Sequence, residues 1–167
     1  MDLYEAIESR RSVRAYKSQP VEEDKLLRIL EAARLAPSAA NRQPWVFYVV
    51  RDEAKRAALK EAYGREWFYT APVIVVACAR PAIGWVRMDG KAYLEVDVAI
   101  AMQHLILAAT AEGLGTCWIG AFDPDAVRRV LELSDDVEPI AMTPVGYPDV
   151  TPKPTQRKPL YELVKMI

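Results

Sequence analysis

The chain has 167 residues, of which 51% are hydrophobic and 27% charged, and its formal net charge is −1. A chain of this length and composition is typical of one soluble domain, so we expect residues 1–167 to fold as a single unit. The balanced charge excludes a general attraction to nucleic acid or to anionic membranes. Cys78 and Cys117 are isolated in sequence. With no disulfide framework and no signal-like opening segment, we expect a cytoplasmic protein.

Side chains that could catalyse are scarce. His104 is the only histidine, so any serine or cysteine triad would have to use it. A zinc site would need Cys78, Cys117 and His104 to converge, and because no local spacing supports this, we expect no metal. An enzyme so poorly supplied with acids and bases is expected to depend on a cofactor.

In chain order, the first elements are helices over residues 3–10 and 22–36, and an irregular stretch lies between them. The second helix begins with acidic residues, carries apolar residues at helical spacing and ends at Pro37. The aromatic and β-branched run Trp45–Val50 then predicts a strand that is buried on both faces.

The later elements are predicted helices over 53–63, Leu94–Ala111 and 124–133, and strands over Val73–Ala79, 116–119 and 140–146. The helix over Leu94–Ala111 is apolar nearly all round, which indicates a core or subunit-interface position, and polar residues interrupt it too often for a membrane span. We expect its His104 to be a hydrogen-bonded packing residue, and its Asp97 to pair with a helix terminus or an arginine. Because the connections form no regular βαβ series, the sequence predicts an α+β fold.

A basic motif follows the first helix. Residues 9–14, with the sequence SRRSVR, carry three guanidiniums and two hydroxyls. Arginine forms planar, bidentate hydrogen bonds with phosphate or with a carbonyl edge, so the motif indicates an anion site. Taken alone, it could equally be a basic helix end that offsets the helix dipole.

Two further motifs and the tail could contribute to a binding site. Residues 36–45, APSAANRQPW, form a small-residue turn in which Asn41 and Gln43 offer donors and acceptors, although an ordinary helix-to-strand loop has the same composition. Residues 113–123, GLGTCWIGAFD, end a strand at Gly120-Ala121 just before a helix, which leaves free amides suited to a ring nitrogen or an oxyanion. The basic tail over 153–159 is either solvated or returns to the anion site.

Taken together and in this order, the four motifs resemble the FMN-dependent nitroreductase family, of which this chain would be a compact member. The resemblance covers nearly the whole chain. It implies a mixed, mainly antiparallel sheet flanked by helices. It also implies an intertwined homodimer that holds two FMN molecules in its interface.

The resemblance also assigns roles to residues. Arg10 and Ser12 would hold the flavin phosphate and ribityl chain, Arg14 would face flavin N1 and O2, and the backbone of Gly120 and Ala121 would lie near N5. The loop residues would come from the partner chain. The complete implied cofactor-binding set is Arg10, Arg11, Ser12, Arg14, Pro37, Ser38, Ala39, Asn41, Ile119, Gly120, Ala121 and Arg157.

The implied activity is hydride transfer from NAD(P)H through FMN to a nitroaromatic, quinone, flavin or similar acceptor, by a ping-pong mechanism. No side-chain acid or base is required. Residues 80–93 are shorter than the corresponding excursion of fuller family members, so we expect the acceptor pocket to be built differently, by Trp85 and Tyr69. Two alternatives stay open: specialised flavin chemistry, such as reductive dehalogenation or flavin fragmentation, and a flavin-binding sensor or carrier without turnover.

Overall fold

A four-stranded sheet with helices on both faces organises the chain in a computed structural model that describes residues 1–167. The strands are β1 (Trp45–Val50), β2 (Val73–Ala79), β3 (Gly115–Thr116) and β4 (Glu138–Gly146). The helices are α1 (Leu3–Ser9), α2 (Glu23–Arg34), α3 (Glu53–Ala58), α4 (Glu66–Tyr69), α5 (Leu94–Ala111), α6 (Pro124–Leu131) and α7 (Leu160–Leu163). Short 3-10 turns cover Ala39–Asn41, Leu59–Glu61 and Pro81–Ile83.

The strands lie in the order β1-β2-β4-β3, and every neighbouring pair is antiparallel. All residues of β2 are buried. Because successive side chains of a strand point to opposite faces, Val75 and Ala77 pack toward α2 and α5, whereas Ile74 and Val76 pack into a second apolar cluster on the other face. The predicted α+β class with a mainly antiparallel sheet is confirmed.

Helix α5 lies at the centre of the first apolar cluster and α2 packs across it. Its mean hydropathy of 1.4 and its length would suffice for a membrane span, but Met102, Leu105 and Ile106 are buried in the core of this domain. The opposite side of α5 is less covered: Val96 is 40% exposed, and Ile100 and Leu107 are half-buried. A helix without a polar face therefore presents apolar surface outside the core.

Several elements differ from their predicted bounds. The polar helix ends at Ala58 and continues as a 3-10 turn that buries Leu59. Strand β1 is mostly half-buried because it forms an edge of the sheet. Neither α4 nor α7 was predicted, since four residues are too few to show a helical period.

The predicted strand over 116–119 is interrupted at Cys117. Its amide donates to the Thr143 hydroxyl at 3.1 Å rather than to a backbone carbonyl of β4, and the same hydroxyl donates to the Pro144 carbonyl at 3.0 Å. Pairing resumes at a single bridge between Ile119 and Met142. The buried Thr143 hydroxyl thus replaces a backbone acceptor of β4 at this point.

We expect Thr143→Val to lower the free energy of unfolding by about 1–3 kcal/mol, because the isosteric change leaves the Cys117 amide without its acceptor. Urea unfolding followed by circular dichroism measures this difference. Thr70→Val is the matched control, since the Thr70 hydroxyl donates to the Glu66 carbonyl at an exposed position. Equal stability of the two variants would contradict the prediction.

Candidate functional site

The basic motif is attached to the free edge of the sheet. Ser12 forms a parallel bridge with Thr116, and the Val13 amide donates to the Thr116 carbonyl at 2.8 Å. Gly115 allows this approach, because a β-carbon at that position would lie 2.9 Å from Val13 Cγ2. Residues 12–13 therefore act as a short additional strand beside β3.

Arg10 and Arg14 flank the segment of Ser12 and Val13 that pairs with Thr116, the residue before Cys117. Burial raises the pKa of the Cys117 thiol, while the positive charges of Arg14 and Arg10 and a hydrogen bond with Ser12 act in the opposite direction. Neither arginine belongs to any ion pair of the chain. Two unpaired guanidiniums beside a hydroxyl can bind an anion that carries several oxygen acceptors.

Arg11 takes a different position. Its Nη1 donates to the carbonyls of Glu8 at 2.5 Å and Arg10 at 2.8 Å, at the C-terminal end of α1. It also lines a separate cleft of about 780 Å³ with Lys17 and the proline-rich segment after β4. The structure thus separates Arg11 from the other two arginines and gives it the helix-end contacts that were the alternative interpretation of the motif.

Two free amides follow the end of the sheet. Ile119 exchanges two hydrogen bonds of 2.9 Å with Met142, and the chain then leaves the sheet at Gly120 and Ala121. Both residues are exposed, and their amides donate to no group of the chain. Asp123 caps α6 directly afterwards. The arrangement places unused N–H donors three and four residues beyond Cys117.

The loop between α2 and β1 is exposed and conformationally unusual. Ala40, Asn41 and Gln43 have φ angles of 51°, 53° and 49°, in the left-handed region that favours glycine. The Ser38 hydroxyl accepts from the Gln43 amide at 2.9 Å, and Arg42 Nη1 donates to the Gly84 carbonyl at 2.8 Å. The loop is therefore built around specific hydrogen bonds.

The loop and the basic motif lie at opposite ends of α5. The Ala39 amide contacts Asp97 near the start of this helix, whereas Ser9, Arg11 and Val13 line a cleft with Thr110 near its end. The helix between Asp97 and Thr110 is about 20 Å long. One chain therefore does not bring Pro37, Ser38, Ala39 and Asn41 to Arg10, Ser12 and Arg14.

Other predicted residues also lie apart. Arg157 is exposed on the tail, and its guanidinium contacts only the Gln156 carbonyl, at 3.5 Å. Trp85 follows the end of β2 and packs edge-on against Tyr93 at 5.0 Å, whereas Tyr69 precedes the start of β2. Because the length of β2 separates them, the expected pocket between Trp85 and Tyr69 does not form within one chain.

The two residues of α5 that were expected to be structural have backbone partners. His104 Nδ1 lies 3.3 Å from the Ala32 carbonyl, as expected of a hydrogen-bonded packing residue. Asp97 pairs with no arginine, but its Oδ1 accepts at 2.9 Å from the Ala39 amide, the first N–H of the 3-10 turn Ala39–Asn41, so the expected contact with a helix terminus is present. A carboxylate among the apolar residues of this helix was the sequence signal for this contact.

We expect both thiols to be unreactive in the folded protein at pH 8. Burial raises the pKa of Cys78 to about 12 and also raises the pKa of Cys117, so almost no thiolate forms at that pH. Ellman's reagent should detect both thiols only after denaturation, and the denatured protein provides the control. Rapid labelling of either cysteine in the native state would contradict the prediction.

The site combines unpaired cations, a hydroxyl and free backbone amides, and no three His, Cys, Asp or Glu side chains lie together as metal ligands. An α+β domain with such a site is suited to an anionic cofactor that supplies the reactive chemistry itself. The chain belongs to the nitroreductase family, whose family model matches residues 7–69 and 59–147. The resemblance drawn from the motifs is thereby confirmed.

Relatives indicate the range of the family. The chain is 34% identical to an NADH dehydrogenase of Thermus thermophilus, with 98% of this chain and 95% of the relative covered. It is 32% identical to an FMN reductase [NAD(P)H] of Bacillus subtilis, over 88% and 66% of the two chains. It is also 30% identical to a 5,6-dimethylbenzimidazole synthase of Rhodospirillum rubrum, over 83% and 78%.

Solved structures show the same fold. A nitroreductase family protein of Clostridium difficile superposes with a TM-score of 0.90 at 33% identity, covering 99% of this chain and 98% of the other. An FMN-dependent nitroreductase from the same species gives a TM-score of 0.84 at 28% identity, with 98% of both chains covered. The α+β fold described above is therefore that of the family.

Proposed function

We propose that this protein is an FMN-dependent oxidoreductase that accepts hydride from NAD(P)H and reduces a nitroaromatic, quinone, flavin or similar small acceptor in a ping-pong cycle. The observation that carries the proposal is that the segment with Ser12 and the unpaired Arg10 and Arg14 pairs with Thr116, on the strand that leads to the free amides of Gly120 and Ala121. Related proteins named FMN reductase and FMN-dependent nitroreductase support the choice of cofactor and donor.

The residues present fit FMN in charge and in donor type. When bound, FMN supplies the ring that exchanges hydride with the donor and the acceptor. Arg10 and Ser12 would offer a charged donor and a hydroxyl to the phosphate and ribityl oxygens, and Arg14 would add a fixed positive charge near the ring. The exposed amides of Gly120 and Ala121 would supply hydrogen-bond donors to the ring. No side chain of the chain has to act as an acid or base.

We further propose that two chains build each site. A second copy that packs antiparallel against the half-covered side of α5 brings the loop of one chain to the basic motif of the other, which bridges the separation of about 20 Å. Exposed apolar residues outside the core support such an interface: Leu3 is 62% exposed, Tyr4 76%, and Leu160 on the tail 73%. Pro37, Ser38, Ala39 and Asn41 would then complete the partner's site, and Arg157 on the tail would add a phosphate contact. We expect this homodimer to lie in the cytoplasm and to have neither nucleic acid nor a membrane as a partner.

Absorbance spectroscopy tests the function. Protein reconstituted with FMN and freed of excess cofactor should show the flavin bands, and anaerobic NADH or NADPH should bleach them before any acceptor is added. Adding a quinone or nitroaromatic should then restore the bands. A protein that takes up no FMN would contradict the proposal. FMN that binds but resists both nicotinamides would favour the sensor or carrier alternative.

Flavin fragmentation is the second candidate function, and the similarity to the 5,6-dimethylbenzimidazole synthase supports it. In that case, incubation of the reduced protein in air should consume FMN and release a smaller aromatic product. Chromatography of the reaction mixture distinguishes the two activities, because a reductase returns FMN intact.

A further inference from the structure

Asp97 is a charged side chain in the most apolar helix of the chain. It is 2% exposed, and its Oδ1 accepts from the Ala39 amide at 2.9 Å. The second oxygen, Oδ2, is buried and has no hydrogen-bond partner. A buried carboxylate with one unsatisfied oxygen costs stability, so packing alone does not explain it.

The position of Asp97 in α5 reduces this cost. It lies in the first turn of the helix, where the aligned peptide dipoles favour a negative charge. The N-cap residue Tyr93 makes no side-chain capping bond. Of the two acidic residues in this turn, Glu95 is exposed and Asp97 is buried, so Asp97 is the carboxylate that lies at this helix end within the core. The charge is thus tolerated at the one end of α5 that contacts the loop.

The loop that Asp97 contacts needs an anchor. Three of its non-glycine residues, Ala40, Asn41 and Gln43, have left-handed backbone conformations. Each such conformation is unfavourable for a residue with a side chain, so the surroundings must stabilise it. The contact of Ala39 with Asp97 is the bond that ties the beginning of this turn to the core. Ser38 and Gln43 bond only within the loop, and Arg42 bonds to the Gly84 carbonyl near its end.

We propose that Asp97 is a positioning residue for FMN binding: through its hydrogen bond with the Ala39 amide it holds the loop over 38–43 in the conformation that contacts the partner's cofactor. This inference rests on the proposed function for the identity of the ligand, but the anchoring itself is a property of the chain without cofactor. An acceptor oxygen is what the position requires, since the donor is a backbone amide. Asparagine should therefore substitute for aspartate, and alanine should not.

Two measurements test the inference. In the protein without FMN, hydrogen–deuterium exchange of the Ala39 amide should become fast in Asp97→Ala and stay slow in Asp97→Asn. In the reconstituted protein, Asp97→Ala should weaken FMN binding about tenfold, whereas Asp97→Asn should stay within about threefold of the original affinity. Glu95→Ala is the matched control, because Glu95 is exposed on the same turn and contacts nothing in the loop.

Ala39→Pro removes the same hydrogen bond from the donor side and keeps the test valid if Asp97→Ala does not fold. Ser38 is already extended, as a residue before proline prefers, and Ala39 begins a 3-10 turn. This variant should weaken FMN binding as Asp97→Ala does, and the double variant should lose little more, because both changes remove one interaction.

The outcomes separate the two proposals. Unchanged exchange at Ala39 and unchanged FMN affinity in Asp97→Ala would overturn the role of Asp97, even if the original protein binds FMN tightly. Loss of affinity in Asp97→Asn equal to that in Asp97→Ala would also overturn it, since the acceptor oxygen would not be the cause. If the original protein took up no FMN, the proposed function would fall, while the exchange data would still decide whether Asp97 anchors the loop.

Discussion

Arg14→Gln is expected to lower the reduction potential of bound FMN by roughly 30–60 mV and to weaken FMN binding about tenfold. Arg14 is exposed and unpaired, and it lies beside Cys117 and Arg10. A fixed positive charge near the pyrimidine edge stabilises the additional negative charge that accompanies reduction, so its removal makes reduction less favourable. A shift of 30 mV in a two-electron couple corresponds to about 1.4 kcal/mol, which is within the range of one charged hydrogen bond.

Potentiometric titration against reference dyes measures this change, and fluorescence titration measures the affinity. Arg14→Lys should retain most of the potential because it keeps the charge. Arg34→Gln is the matched control, since Arg34 pairs with Glu31 on the exposed side of α2. A potential in Arg14→Gln that equals that of the control would remove the electrostatic role of Arg14.

Mixing two variants that each bind FMN weakly should restore tight FMN binding if each site is shared between chains. Arg10→Ala disables the basic motif and Asn41→Ala disables the loop, so each homodimer is expected to lose FMN affinity at both of its sites by about tenfold or more. In a mixed dimer, one site receives both altered segments and the other receives two intact ones. One site of each mixed dimer should therefore bind FMN with the original affinity.

Unfolding and refolding the two variants together, with differently tagged chains, isolates the mixed dimer for titration. The variants refolded separately provide the control. If both segments served a site within one chain, every site of the mixed dimer would carry one defect, and no tight binding would return. A monomer that binds FMN would contradict the shared site in a more direct way.

Much of the fold followed from local sequence. The runs Trp45–Val50 and Val73–Ala79 and the apolar stretch Leu94–Ala111 have the predicted bounds, because each is long and ends at proline, glycine or polar residues. The ends of α3 and β3 were not predictable in this way. They depend on tertiary contacts, such as the Thr143 hydroxyl that takes the Cys117 amide out of the strand ladder.

The candidate site, like the fold, was predictable from the sequence only in part. The motifs predict which segments form the site, since arginines, the end of a strand before a helix and a small-residue turn are visible in sequence. Sequence alone did not show that Arg11 bonds to carbonyls at the end of α1, nor that three non-glycine residues of the loop adopt positive φ angles. For Asp97 the sequence indicated a helix terminus or an arginine but not which one, because the contact joins a helix to a backbone amide far away in the chain.

The pairing of β2 with β4 has a consequence for synthesis on the ribosome. Val73 pairs with Val145, so the central strand of the sheet lacks its second neighbour until nearly the whole domain has been made. Until then β2 presents an unpaired edge formed entirely by residues that are buried in the finished protein, which is the kind of surface that aggregates. Chains truncated before β4 should therefore be insoluble rather than partly functional, and the last strand to emerge is the one that closes the core.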